Sequence, residues 1–184
     1  SDELEPPTPY KISLNGMWKL SWAGNPDLRV KDFWKMDFDD GDWFDIEVPS
    51  CVELMGFGSP GYTNVRYPHA NLSNPTNPAF ATIRDRQSGK RDYNPVSSYR
   101  RVFTVPQEWK GRRIILRFDG VYSAYYVWVN GEKVGYAEDS KLPSEFDITP
   151  YCRWVEKGEG DEGGTNILAV EVYRWCDGSY LEDQ

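Results

Sequence analysis

Apolar residues recur at every second position through most of this chain, a period that an extended strand satisfies and an α-helix does not. Trp18, Leu20 and Trp22 alternate with Lys19 and Ser21, and Phe44, Ile46 and Val48 alternate with Asp45 and Glu47. Each predicts a strand with one buried and one wet face. Tyr99 to Val105, Ile114 to Phe118, Tyr125 to Val129 and Ile167 to Tyr173 are similar runs, rich in β-branched and aromatic residues and separated by Pro106, Gly111 and Gly120. Between Val127-Trp128-Val129 and Lys133-Val134-Gly135-Tyr136 stands Asn130-Gly131, the pair that most readily adopts the positive φ values of a type I′ turn, so a β-hairpin is expected there. Helical signals are few: one turn at Pro106 to Trp109, and Thr149-Pro150, which reads as an N-cap followed by proline. Short strands at roughly 8 to 12 residue spacing predict an all-β chain, a sandwich or barrel of antiparallel strands.

At 184 residues the chain has the length of one domain with one core, residues 1–184. Hydrophobic residues make up 39% and charged residues 27%, and no apolar run approaches the roughly 20 residues that span a bilayer, so a soluble chain is expected, in the cytoplasm or the periplasm. A net charge of −8 argues against nucleic acid or an anionic membrane as partner, since both demand a basic patch. The adjacent basic pairs Arg100-Arg101 and Arg112-Arg113 lie in strand-like segments and read as a solvated sheet face. Cys51, Cys152 and Cys176 show no CxxC spacing and are expected as buried thiols; with His69 as the lone histidine, a zinc cluster is excluded as a working expectation.

Three segments depart from the alternation. Residues 1–13 read as an N-terminal extension. Residues 66–98, rich in Pro, Asn and Ser, read as a long loop of the kind that is functional or packs on something else. Residues 176–184 carry no closing element and read as the start of a linker to a missing domain.

Several strings together resemble the N-terminal sugar-binding domain of glycoside hydrolase family 2, in its β-galactosidase branch. They are Leu14-Asn15-Gly16-Met17-Trp18-Lys19, Val48-Pro49-Ser50 followed by Tyr62-Thr63-Asn64-Val65-Arg66-Tyr67-Pro68, Phe118-Asp119-Gly120-Val121-Tyr122-Ser123-Ala124, Val127-Trp128-Val129-Asn130-Gly131, Asp139 to Asp147, and Arg174-Trp175-Cys176-Asp177-Gly178-Ser179-Tyr180-Leu181-Glu182-Asp183-Gln184. The resemblance implies a jelly-roll, galactose-binding-domain-like antiparallel β-sandwich. It also implies that further domains of the same chain, an immunoglobulin-like domain and then a (β/α)8 barrel, follow and carry the chemistry. The segment Ala79 to Asn94 is longer than the family's usual loop, which bears on oligomer contacts.

A retaining glycosidase needs two carboxyl groups about 5 Å apart. The 29 acidic residues here offer no spacing that selects such a pair. Glu138-Asp139, as strand neighbours, point to opposite faces. The resemblance places both catalytic glutamates in the barrel, so no catalytic residue is assigned in this chain and the isolated segment is expected to be inactive. By the same resemblance, Asn64 and Asp177 reach the galactose subsite, and Asp177 also holds a monovalent cation in the full-length parent, with Mg and Na as that parent's ions and no cofactor in this segment. The chemistry suits the role, because a carboxylate accepts charge-assisted hydrogen bonds from hydroxyls and an amide both donates and accepts. The structural alternatives are that Asn64 caps a loop and Asp177 makes an Asx-turn before Gly178. Trp128 and Trp175 are expected in the core rather than as sugar platforms, and Cys176 as an inert thiol. Partners implied are a galactoside, the remaining domains and a homo-oligomer. Two other functions stay open, a free-standing carbohydrate-binding module and a purely structural oligomerisation domain.

Overall fold

The computed structural model describes residues 8–58, 60, 94–154, 164–176 and 178–179. Among the described residues eight strands carry the fold: β1 (Gly16–Ala23), β2 (Phe44–Val48), β3 (Val96–Val105), β4 (Ile115–Phe118), β5 (Ala124–Val129), β6 (Glu132–Ala137), β7 (Ser144–Asp147) and β8 (Gly164–Tyr173). Every pairing is antiparallel. Six strands form one sheet in the order β2-β1-β3-β8-β5-β6, and β4 pairs with β7 in a second. The chain is an all-β antiparallel sandwich, as the alternation predicts.

The alternation also sets which residues meet between the sheets. Trp18 and Leu20 of β1, Ile46 of β2, Phe103 and Val105 of β3, Tyr125, Val127 and Val129 of β5, and Leu168 and Val170 of β8 pack with Leu116 of β4 and with Ile148. Because successive side chains on a strand point to opposite faces, Trp128 and Ala169 face the other way, and there they pack with Phe33 under Trp34, Phe38 and Trp43. Trp34 stacks on Trp128 with centroids 4.9 Å apart and planes 8° from parallel. The central strands are thus covered on both sides.

The cover corrects the reading of Arg100 as solvated. Arg100 is 4% exposed, on the outer face of β3 beneath the segment before β2. Its guanidinium donates to Asp40 Oδ2 at 2.7 Å and to the carbonyls of Lys35 at 3.0 Å, Phe38 and Phe33. A buried cation needs this degree of satisfaction.

The hairpin forms where Asn130-Gly131 predicts it, with φ of 52° and 89° at the two residues. Asn130 also works as a tie: its Nδ2 donates to Asn166 Oδ1 at 2.7 Å and to Tyr151 O at 2.8 Å, while its Oδ1 accepts from Ile167 N at 2.9 Å. Pro106 to Trp109 contains the expected turn, a 3-10 helix over Gln107–Trp109. Thr149 is not the N-cap of its turn; Ile148 is, and Thr149 stands inside Thr149–Tyr151. The reason is that the Asp147 carboxylate takes the Thr149 N–H and hydroxyl, at 3.0 and 2.6 Å.

Of the stretch 66–98 read as a loop, residues 96–98 belong to β3, where Val96, Ser97 and Ser98 are buried. Residues 66–93 lie outside the described residues, as does most of the N-terminal extension. Cys176 and Ser179 are buried, so the segment read as a linker begins as part of the fold.

Candidate functional site

The end of β8 is where the sequence places its most specific motif. Asn94, just ahead of β3, extends the β3–β8 ladder past the last strand residues with its side chain. Its Nδ2 donates to Trp175 O at 3.2 Å, and its Oδ1 accepts from Trp175 N at 3.0 Å. One amide so satisfies both backbone groups of a residue that has run out of strand. Arg174 N donates to Pro95 O at 3.0 Å.

On the other side, Ser123 opens the approach to β5 after a cis Tyr122–Ser123 peptide. Its N–H donates to Tyr173 O at 3.0 Å, and its hydroxyl lies 3.1 Å from both Tyr173 O and Arg174 O. Ser179 continues the chain of hydroxyls. Its Oγ accepts from Cys176 N at 2.9 Å and donates to Ser123 Oγ at 3.3 Å, and its own N–H donates to Cys176 O at 3.2 Å. Ser123 and Ser179 are both wholly buried. Cys176 and Ser179 therefore bridge to each other across positions 177 and 178.

Arg174 leads into this turn, and a second segment docks on it. After the cis Val48–Pro49 peptide the chain winds through a compact turn, with Leu54 N donating to Cys51 O at 3.0 Å and Phe57 N to Val52 O at 3.0 Å. Val52 and Phe57 pack at the rim of the main core. Glu53 Oε1 lies 3.3 Å from Arg174 Nε, with side chains only 10% and 19% exposed. The Arg174 guanidinium lies 4.5 Å from the Tyr122 ring centroid and 4.6 Å from that of Trp175. Beside them, burial pushes the Tyr99 hydroxyl far above its ordinary range; the Ser97 hydrogen bond pulls it back, and Glu53 and Cys51 add smaller upward pushes. Tyr99 stays protonated. The Trp175 indole is buried, as expected, and its Nε1–H finds no acceptor among the described residues.

Asn64 and Asp177 themselves lie outside the described residues, as does His69. What the structure describes is the scaffold on either side: Cys176 and Gly178 flank Asp177, and the turn at Cys51 to Phe57 precedes Asn64 in the chain. Sequence reasoning missed Glu53, Asn94, Ser123 and Ser179. Only Ser179 had a local signal, a hydroxyl within reach of backbone groups three residues back, at Cys176; Asn94 acts across 81 positions.

The thiols need one correction. Cys176 is buried, but Cys152 is half-buried and Cys51 is exposed. The reason is position, since Cys51 heads a surface turn, with Sγ donating to Glu53 Oε2 at 3.0 Å.

Two carboxylates largely withdrawn from water, Glu53 and Glu171, face Arg174 and Arg29 respectively. Among the described residues no group of three or more His, Cys, Asp or Glu side chains is placed to hold a metal ion, and no helix is long and apolar enough to cross a membrane.

Residues 12–184 match the family described as glycosyl hydrolases family 2, sugar binding domain. A β-galactosidase of Priestia megaterium is 47% identical over 175 residues, covering 95% of this chain and 15% of that protein. One of Halalkalibacterium halodurans is 44% identical over 183 residues, 98% of this chain and 16% of the other. The β-galactosidase large subunit of Latilactobacillus sakei is 40% identical, with 95% and 27% covered. Among solved structures, Bacteroides uniformis β-glucuronidase 2 superimposes with a TM-score of 0.59 at 22% identity, over 93% of this chain and 15% of that one. That likeness concerns the fold. The chain spans about 15% of the length of the first two relatives.

Proposed function

Since the chain belongs to glycosyl hydrolase family 2, as its sugar-binding domain, we propose that it serves as the non-catalytic N-terminal part of a longer β-galactosidase that hydrolyses terminal β-galactosides. In this reading Asn64 and Asp177 form one edge of the galactose subsite. The two catalytic carboxyl groups and most of the sugar's contacts belong to a barrel beyond this chain. A monovalent cation bound at Asp177 would supply a fixed positive charge for sugar hydroxyls, with Na and Mg as ions of the whole enzyme. Partners are the galactoside, the other domains of the polypeptide and further copies of it.

One observation carries the reading. The residues that flank Asp177 are anchored as a catalytic scaffold requires: Cys176 and Ser179 are buried, bonded to each other and to Ser123 at the end of a central strand. Fixed anchors on either side of a binding residue reduce the entropy lost on binding, which supports the assignment of Asp177 to the sugar.

Asp177→Ala in the full-length polypeptide tests it. Removing a charge-assisted hydrogen bond costs about 1.5 to 3 kcal/mol, so kcat/KM should fall roughly 10- to 150-fold. Asn64→Ala should lose less, because a neutral amide bonds more weakly. The Asp177→Ala enzyme should also lose any difference in rate between sodium and potassium buffers. Steady-state kinetics with an unchanged melting curve decides: undiminished kcat/KM for Asp177→Ala leaves the domain a scaffold.

A further inference from the structure

The outer face of the six-stranded sheet carries a row of tyrosines beside the stacked Trp34 and Trp128. Tyr126 of β5 stands opposite Tyr136 on β6 and opposite Glu171 on β8, and residues paired across strands share a face. Tyr173, two positions after Glu171, joins the same face. The Tyr126 and Tyr136 ring centroids lie 4.7 Å apart with planes tilted by 42°, and Tyr173 meets Tyr126 edge-on at 6.2 Å. Tyr136 is exposed, and Tyr126 and Tyr173 are half-buried. A carboxylate fixes each end of the row. The Tyr136 hydroxyl donates to Glu138 Oε1, and the Tyr173 hydroxyl donates to Glu171 Oε1 at 2.7 Å. Glu171 is 4% exposed and is held in turn by Arg29. Lys133, exposed on β6, places its ammonium 4.2 Å from the Tyr126 centroid. The rings are thus oriented by the sheet and by these bonds before a ligand arrives, which lowers the entropy that binding costs.

Aromatic faces take apolar surface, and a sugar ring offers it: the axial hydroxyl of galactose leaves several C–H groups gathered on one side. The hydroxyls around that side need acceptors and donors, which Glu138 and Lys133 supply at the rim of the row. A purely apolar partner would strip water from both charges without replacing its hydrogen bonds, whereas a polyhydroxylated ring satisfies the faces and the charges together. We propose that Tyr126, Tyr136 and Tyr173, with Glu138 and Lys133 at their rim, form a second saccharide-binding surface, which holds the body of a neutral β-linked galactoside chain without using Asn64 or Asp177. The choice of galactose rests on the reading of the enzyme as a β-galactosidase; the surface itself consists of described residues only.

The test is affinity electrophoresis of the full-length polypeptide, in the cold, through gels of increasing soluble β-linked galactan. The parent should be retarded, and Tyr136→Ala should weaken the dissociation constant read from the retardation roughly tenfold, with a smaller loss for Lys133→Ala. For both variants kcat/KM on a small chromogenic galactoside should stay within about twofold of the parent, since so short a substrate does not need the surface. If Tyr136→Ala lowers the melting temperature substantially, Tyr136→Leu makes the same comparison, because it keeps apolar packing and removes the aromatic face. Asp177→Ala should be retarded as strongly as the parent. An unretarded parent overturns the proposal, and so does retardation that survives unchanged in the folded Tyr136 variant. Retardation lost in Asp177→Ala but kept in the Tyr136 variant also overturns it, by assigning the polymer to the subsite alone. Retardation lost only in the Tyr136 variant, together with undiminished kcat/KM for Asp177→Ala, removes the subsite reading and leaves the surface standing.

Discussion

The Asp147 carboxylate shows how much a single exposed residue can be shaped by its neighbours. The Thr149 hydroxyl bond, then Arg113 Nε at 2.9 Å and the Thr149 N–H, lower its pKa from an ordinary 3.8 to about 2. A depressed carboxylate contributes stability that is fully present above about pH 4 and is lost as pH falls through the folded value. The melting temperature should therefore drop between pH 4 and pH 2, and Asp147→Asn should flatten that part of the curve. Identical slopes for the two proteins would show that this cluster does not govern acid sensitivity. Asp147 also bears on a thiol. Burial first, and the Asp147 charge second, push Cys152 up to about 11, while Cys176 is shielded outright and Cys51 is exposed. Since the thiolate is the nucleophile, a brief iodoacetamide pulse near pH 8 should label Cys51 well before the other two. Equal labelling of all three thiols, followed by mass spectrometry of peptides, would contradict this order.

At the scale of elements, the β5–β6 hairpin is more than a turn. Asn130 holds φ at 52° and bonds Tyr151 O, Asn166 Oδ1 and Ile167 N, which stitches the hairpin tip to β8. Asn130→Ala should lose roughly 2 to 4 kcal/mol, because it orphans polar groups and puts a Cβ without local hydrogen bonds in the left-handed region. Asn130→Gly should lose about 1 kcal/mol less, since glycine accepts that φ. Urea midpoints measure the difference, and equal losses would assign the whole effect to the hydrogen bonds. The hairpin was legible because Asn-Gly is a local signal, and most strands were legible because period two is local as well. β7 was not read as a strand: Ser144 to Asp147 is four residues long, with only Phe146 facing inward among polar neighbours. The cover over Arg100 was illegible for a different reason. Its carbonyl partners come from Phe33 to Phe38, more than sixty positions away, and no charge pattern announces them. The site divides the same way. The motif around Asp177 stands out in sequence, while the Asn94 and Glu53 contacts that anchor its surroundings are products of the fold.

For the molecule as a whole, the two sheets enclose a core of described residues, and the chain is expected to fold on it without another domain. What it leaves outside is informative. Leu54 is 79% exposed and Met55 51%, both on the turn that carries Glu53, and Phe44 is 60% exposed beside it. Exposed apolar side chains gathered on one surface turn are typical of a surface that another body covers. The isolated chain should therefore unfold in one cooperative step. It should show slow amide exchange in β3, β5 and β8, each bonded on both sides except β5's short register break near Val127 and Trp128. It should hydrolyse no chromogenic galactoside, since the proposed reading places both catalytic carboxyl groups in a barrel beyond this chain. Free galactose should bind only above millimolar concentrations. Two side chains leave most of a sugar's hydroxyls in water, and the few hydrogen bonds they add do not offset the several kcal/mol lost when a free sugar is immobilised. Titration calorimetry on the 184-residue chain is the decisive measurement. A micromolar constant would mean that the domain recognises sugar alone, as a free-standing module does. Heat no different from dilution at millimolar galactose, together with a large kcat/KM loss for Asp177→Ala in the full-length polypeptide, would mean that recognition is completed only where this sandwich meets the rest of its enzyme.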